Sequence, residues 1–224
     1  LLAGHPASAA EPAVKLPACF YAFDYAPGHE SVFCRTGPEA MEKIELSKAN
    51  IVGPVTTLVT DGALHLHATP VTAADGSTSS PLLATARVPA GLKDALVVLF
   101  PNPPASPERY RSLVFENDRQ SFPLGTYRVI NLAPHPIRGA VGRKVIEAKP
   151  GGVTLLELEG DPGSIVPVRF EYQDGSTWNL LTETRCAIRK DRRWLLCIYQ
   201  DPRSGRLNLR SIPDRTRPVA AAPN

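Results

Sequence analysis

At 224 residues the chain has room for one large domain or two ordinary ones, and 43% apolar residues are enough to bury a real core. A formal net charge of +3, with 21% of residues charged, is too small a surplus to argue for a nucleic-acid partner. With 23 Pro and 16 Gly against a single Met, the composition excludes a bundle of long helices, because proline removes a backbone donor and breaks helix interiors.

The first residues, Leu1-Leu2-Ala3-Gly4-His5-Pro6-Ala7-Ser8-Ala9-Ala10, read like the end of a secretory signal. Small side chains at Ala7/Ala9 or Ser8/Ala10 suit signal peptidase. This predicts export to the periplasm or beyond, with residues 1–17 a signal-peptide remnant or flexible tail. The longest strongly apolar run, 95–100, is strand-sized against the ~20 residues of a membrane helix, so no transmembrane segment is expected.

Short β-rich runs then follow at 20–25, 31–36, 63–69, 82–88, 95–100, 110–115, 126–132, 153–158, 168–172, 178–188, 194–199 and 206–212. Glycine-bearing turns separate many of them, at Asp61-Gly62, Asp75-Gly76, Pro150-Gly151-Gly152, Asp174-Gly175 and Ser204-Gly205. Regular strand spacing of this kind marks a sandwich or barrel. The stretch 38–48 is ambiguous: Pro38-Glu39-Ala40-Met41 suits a helix start, while Lys43-Ile44-Glu45-Leu46-Ser47 alternates like a strand.

Laying the second half over the first exposes a weak repeat. Leu96-Val97-Val98-Leu99-Phe100 overlies Leu195-Leu196-Cys197-Ile198-Tyr199 at an offset of 99. Leu82-Leu83 and Arg87 overlie Leu180-Leu181 and Arg185 at 98, and Lys43-Ile44 with Lys48 overlies Lys144-Val145 with Lys149 at 101. The last match favours a strand at 43–47. A period of about 100 residues is the size of an immunoglobulin-like sandwich. The predicted fold is therefore all-β: two immunoglobulin-like β-sandwich modules in tandem, at 18–118 and 122–214, with a flexible tail at 215–224.

The stretch from Phe122-Pro123-Leu124-Gly125-Thr126-Tyr127 through Ala133-Pro134-His135-Pro136-Ile137-Arg138-Gly139 to Gly142-Arg143-Lys144 resembles a segment of exported bacterial β-sandwich proteins of an uncharacterised family. Asp191-Arg192-Arg193-Trp194-Leu195-Leu196 and Tyr199-Gln200-Asp201-Pro202 are similar to the same group, and together these cover about a third of the chain. The resemblance implies a sandwich fold and export, and it brings no catalytic residues with it.

His65 and His67 flank Leu66 on a predicted strand, so period-two alternation sets both imidazoles on one face. That is a usable metal geometry, although a catalytic zinc needs a third ligand and no recognisable spacing supplies one. The other account has both histidines in solvent with Leu64 and Leu66 facing the core. Asp75-Gly76-Ser77 and Asp174-Gly175-Ser176 read as turns, and no Gly-x-Ser-x-Gly nucleophile elbow is present. No cofactor is expected.

The four cysteines form no CxxC pair. If Lys190-Asp191-Arg192-Arg193 is a hairpin turn, Cys186 and Cys197 face each other across it, either bridged or as neighbouring core thiols. Cys19 and Cys34 bracket the Ala26-Pro27-Gly28 turn and are a second possible disulfide. Between Leu180 and Arg217 ten Lys or Arg stand against four acids. Arg189, Arg192 and Arg193 are the candidate docking residues for an anionic envelope polymer or another envelope protein, and Trp178 with Trp194 is either a sugar platform or ordinary sheet packing. The competing reading is that these cations keep exposed sheet edges from pairing. A noncatalytic exported binding or scaffolding protein of the cell envelope is the expected function; the alternative is a metal-dependent or other hydrolase using the His65/His67 face.

Overall fold

The structure, a computed structural model, describes residues 13–72, 78–201 and 204–216. The signal-like residues 1–12, the Asp75-Gly76-Ser77 turn, Pro202 and the tail from 217 lie outside the described residues. No helix occurs among the described residues, and the chain divides into two compact units, one through Asn117 and one from Asp118.

The first unit carries β1 (Val14–Ala22), β2 (Ser31–Arg35), β3 (Met41–Glu45), β4 (Val52–Val59), β5 (Ala63–His67), the short pair β6 (Val71–Thr72) and β7 (Thr78–Ser79), then β8 (Leu82–Arg87), β9 (Ala95–Pro101) and β10 (Tyr110–Glu116). Two four-stranded sheets result, in the orders β10-β9-β1-β4 and β3-β2-β5-β8. The second unit carries β11 (Thr126–Asn131), β12 (Ile137–Val141), β13 (Lys144–Ala148), β14 (Val153–Glu157), β15 (Ile165–Asp174), β16 (Thr177–Ala187), β17 (Trp194–Gln200) and β18 (Leu207–Pro213). Its sheets are β14-β11-β17-β18 and β13-β12-β15-β16. With the β6–β7 pair set aside, the two orders coincide strand for strand.

The chain is thus all-β, two immunoglobulin-like sandwich modules in tandem. Their likeness to immunoglobulin domains lies in size and two-layer architecture, since the strand order is different. In each module the first strand runs parallel to the penultimate one, with Phe20 beside Val97 in one and Val129 beside Leu196 in the other. The fourth strand closes the other side antiparallel.

Burial follows from residue type. Alternate residues of β1 (Leu16, Ala18, Phe20 and Ala22) join Ala95, Val97 and Leu99 of β9 against Val32, Leu64 and Leu66 of the facing sheet. The second core repeats this with Val129, Leu196 and Ile198 against Ile137, Val141 and Phe170. Gly139 on β12 is the floor under Phe170, whose ring carbon would lie 2.3 Å from any added Cβ. Tyr110 ties down the β1–β2 connection: its hydroxyl accepts from the Ala26 N–H at 3.0 Å and donates to the His29 carbonyl at 2.5 Å.

Several expectations need correction. Val14 to Pro17, read as tail, already form the first part of β1, where Pro17 lies opposite Thr56 on an outer ladder. β4 and β12 are strands that sequence reading leaves out. The ambiguous stretch 38–48 contains β3, a strand. Offset 99 keeps its faces, pairing core residues Val97 with Leu196 and Leu99 with Ile198. Offset 101 does not: Ile44 is in the core, whereas Val145 is 70% exposed and the core position is Ile146. A slip of one residue transfers a strand side chain to the opposite face.

Candidate functional site

β5 alternates as its sequence requires, with Leu64 and Leu66 in the core and His65 and His67 half-exposed on the outer face. The β2–β5 ladder sets Phe33 opposite His67 and Cys34 opposite Leu66, so the next step of the register brings Arg35 alongside His65. Arg35, Leu58, Thr60, His65 and His67 line a hollow of about 180 Å³. His67 Nδ1 lies 2.9 Å from the Ser80 carbonyl oxygen. Because a carbonyl can only accept, Nδ1 is the donor in this bond. Thr85, opposite His65 on β8, donates its hydroxyl to Glu108 at 2.6 Å. Among the described residues no group of three or more His, Cys, Asp or Glu is placed to hold a metal ion. Arg35 and Thr60 carried no signal in the sequence, because only strand pairing brings them to the histidines.

The basic segment after β16 divides into two kinds of arginine. Asp191 accepts from Arg189 Nε at 3.1 Å and Nη2 at 3.0 Å, and from Arg192 Nη2 at 3.1 Å. Those bonds, from Arg189 first and Arg192 second, hold the Asp191 carboxyl well below the usual carboxylate range. The Arg189 and Arg192 side chains remain 47% and 30% exposed. Lys190 donates to the Leu158 carbonyl.

Arg193 is a different case, 1% exposed, and the expectation that it docks a ligand is corrected by its burial. Its Nε donates to Asp214 Oδ2 at 2.7 Å and its Nη1 to the Phe122 carbonyl at 2.6 Å. The guanidiniums of Arg193 and of buried Arg128 both lie over the Phe122 ring, each 4.4 Å from its centroid. Burial alone would push the Asp214 carboxyl up, but bonds from the Thr216 hydroxyl and N–H and from Arg193 outweigh it and lower its pKa. The partner of Arg193 is thus far along the chain, and no local motif announces it.

The predicted hairpin at Lys190–Arg193 is a crossing between sheets, since β16 pairs with β15 while β17 pairs with β11 and β18. Cys186 accordingly lies opposite Val166, and Cys197 between Ile130 and Arg210. None of the four cysteines is in a disulfide, which corrects both proposed bridges. Burial pushes the Cys34 and Cys197 thiols up to about 12 and raises Cys186 as well. Thiols so disfavoured from ionising are poor nucleophiles.

Trp178 stands on the outer face of β16 opposite Gln173, with the Arg138 guanidinium 4.4 Å from its ring centroid. Arg138 and Arg169 both bind Glu171, at 2.5 and 2.7 Å, and Arg169 also reaches Glu183 at 3.0 Å. One ring face of the candidate sugar platform is therefore already occupied by a cation that is itself anchored. Set against known proteins, the chain matches no family model and no curated protein.

Proposed function

We propose that the chain is a noncatalytic exported protein of the cell envelope that binds an anionic polymer through the connection following β16. The observation that supports this best is the cluster around Asp191, where a single carboxylate holds exposed Arg189 and half-buried Arg192. With Lys190 beside them, the segment carries more positive than negative side chains. Arginines fixed before a ligand arrives lose less rotamer entropy on binding, and their planar donor forks match sulfate, phosphate and carboxylate groups. Arg185, exposed on β16, adds a further cation nearby in the chain.

The test is retention of the full chain on an immobilised anionic polysaccharide. Elution should come earlier as salt rises, because exposed charges are screened within about 10 Å at 0.1 M. The double variant Arg189→Glu/Arg192→Glu should elute at distinctly lower salt with an unchanged circular dichroism spectrum. An unaltered elution position in that variant would refute the reading.

A further inference from the structure

β16 has an edge that the polymer reading does not use. It is the longest strand among the described residues, Thr177–Ala187, and it ends the sheet β13-β12-β15-β16, where only β15 pairs with it. The strand in the same place in the first module, β8, is covered on that side: Ser112 of β10 donates its hydroxyl to the Thr85 carbonyl at 3.2 Å. At the matching place in β16, given by the offset of 98, stands Glu183, and Glu183, Thr184 and Arg185 are exposed one after another. Three consecutive exposed residues mark an edge that no other element covers.

Pro167 fixes where the backbone of this edge points. It lies opposite Arg185 and has no N–H, so the two are a pair that exchanges no hydrogen bonds within the β15–β16 ladder. The Arg185 N–H and C=O therefore face the open edge, and because the register is unbroken between Thr182 and Ala187, alternation gives Glu183 the same direction. We propose that β16 joins the β16 of a second copy of this chain, antiparallel about a twofold axis at Thr184, making one continuous sheet from two sheets of four strands. In this register Glu183 lies opposite Arg185 of the partner subunit, and Arg185 lies opposite the partner subunit's Glu183. Each is a residue whose backbone faces the neighbour, so each pair exchanges two main-chain hydrogen bonds. Opposite charges set across a ladder attract, and both side chains stand on the same outer face. The Glu183 carboxylate, which Arg169 holds at 3.0 Å, still has 61% of its side chain exposed for this contact. The adjacent registers that keep the backbone bonds bring Glu183 onto its own counterpart or Arg185 onto its own, and like charges directly opposite repel. Charge thus selects one register on a self-complementary surface. The inference goes beyond the polymer reading and does not rest on it, since Arg189 and Arg192 lie past the end of β16.

Sedimentation velocity of the full chain over a range of concentrations should show a monomer–dimer equilibrium. Glu183→Arg and Arg185→Glu should each weaken self-association roughly tenfold or more, since each sets like charges opposite one another on both sides of the twofold axis. An equimolar mixture of the two variants should form the dimer again, because every Glu then meets an Arg. Arg185→Pro, which removes an N–H that β15 does not use, should abolish the dimer with an unchanged circular dichroism spectrum. A chain that stays monomeric at millimolar concentration, single variants that dimerise as the parent does, or a mixture that associates no better than its components overturns the proposal. Amide protection of Glu183 and Arg185 in the dilute monomer would overturn it in favour of another segment of this chain on the edge. Arg189→Glu/Arg192→Glu should dimerise like the parent whatever its elution from the polysaccharide column, so either reading can fail alone.

Discussion

Removing the Arg193 guanidinium strands the Asp214 carboxylate, itself buried, and takes a donor from the carbonyls of Phe122 and Asp118. Breaking a buried pair from one side costs about 3–5 kcal/mol, because the remaining charge stays desolvated. Arg193→Ala should lower the urea midpoint accordingly, while Arg189→Ala, losing an exposed pair, should cost at most about 1 kcal/mol. The pH dependence has a definite sign. The Asp214 pKa is lower in the folded chain than the ~3.9 of an unfolded aspartate, so its contribution is present above that value and is lost as pH falls through the folded pKa. Asp214→Asn should therefore flatten the stability-against-pH curve on its acid side. None of this is legible in Lys190-Asp191-Arg192-Arg193, which reads as a uniformly polar turn. Which arginine turns inward depends on Asp214 and Phe122, both remote in sequence. The histidines were more readable, since strand alternation alone places His65 and His67 on one face.

At the level of single strands, legibility tracked how strongly a segment states its pattern. β9 and β17 are apolar on both faces and cannot be anything but central strands. β4 and β12 were missed because Gly53-Pro54 in one and Pro136 and Gly139 around the other are the residues that normally interrupt strands. Gly139 is there for packing, because a side chain at that position would collide with Phe170. Gly139→Ala should destabilise by about 1–3 kcal/mol, the usual penalty for overfilling a core. The double variant Gly139→Ala/Phe170→Leu should recover part of that loss in thermal or urea unfolding. If Gly139→Ala is neutral, the close contact with Phe170 does not constrain this strand. The misread hairpin has a related cause. A polar four-residue turn between two apolar runs looks the same whether the chain doubles back in one sheet or crosses to the other, and the Cys186–Cys197 pairing depended on that choice.

Across the whole molecule, both sandwiches are closed by contacts between the beginning and the end of a module, β1 with β9 and β11 with β17. Pairings of such long sequence separation form slowly, and they bury the residues that open last. Amide hydrogen exchange should therefore be slowest in β1, β9, β11 and β17, and fastest among strands in the edge strands β3, β13 and β14. Comparable exchange in β3 and β9 would contradict this. Sequence reading reached the two-module plan through the period near 100, yet it could not supply the strand order, which rests on hydrogen bonds between distant segments. That order fixes where each module begins and finishes. Glu116 at the end of β10 lies beside Ala95, which lies beside Ala18 of β1; Pro213 at the end of β18 lies beside Trp194, which lies beside Tyr127 of β11. Chain entry and exit thus share one end of each sandwich. Tension applied to the two ends of a module would peel its last strand away one rung at a time instead of shearing a whole ladder together, so these modules are built to yield early under load.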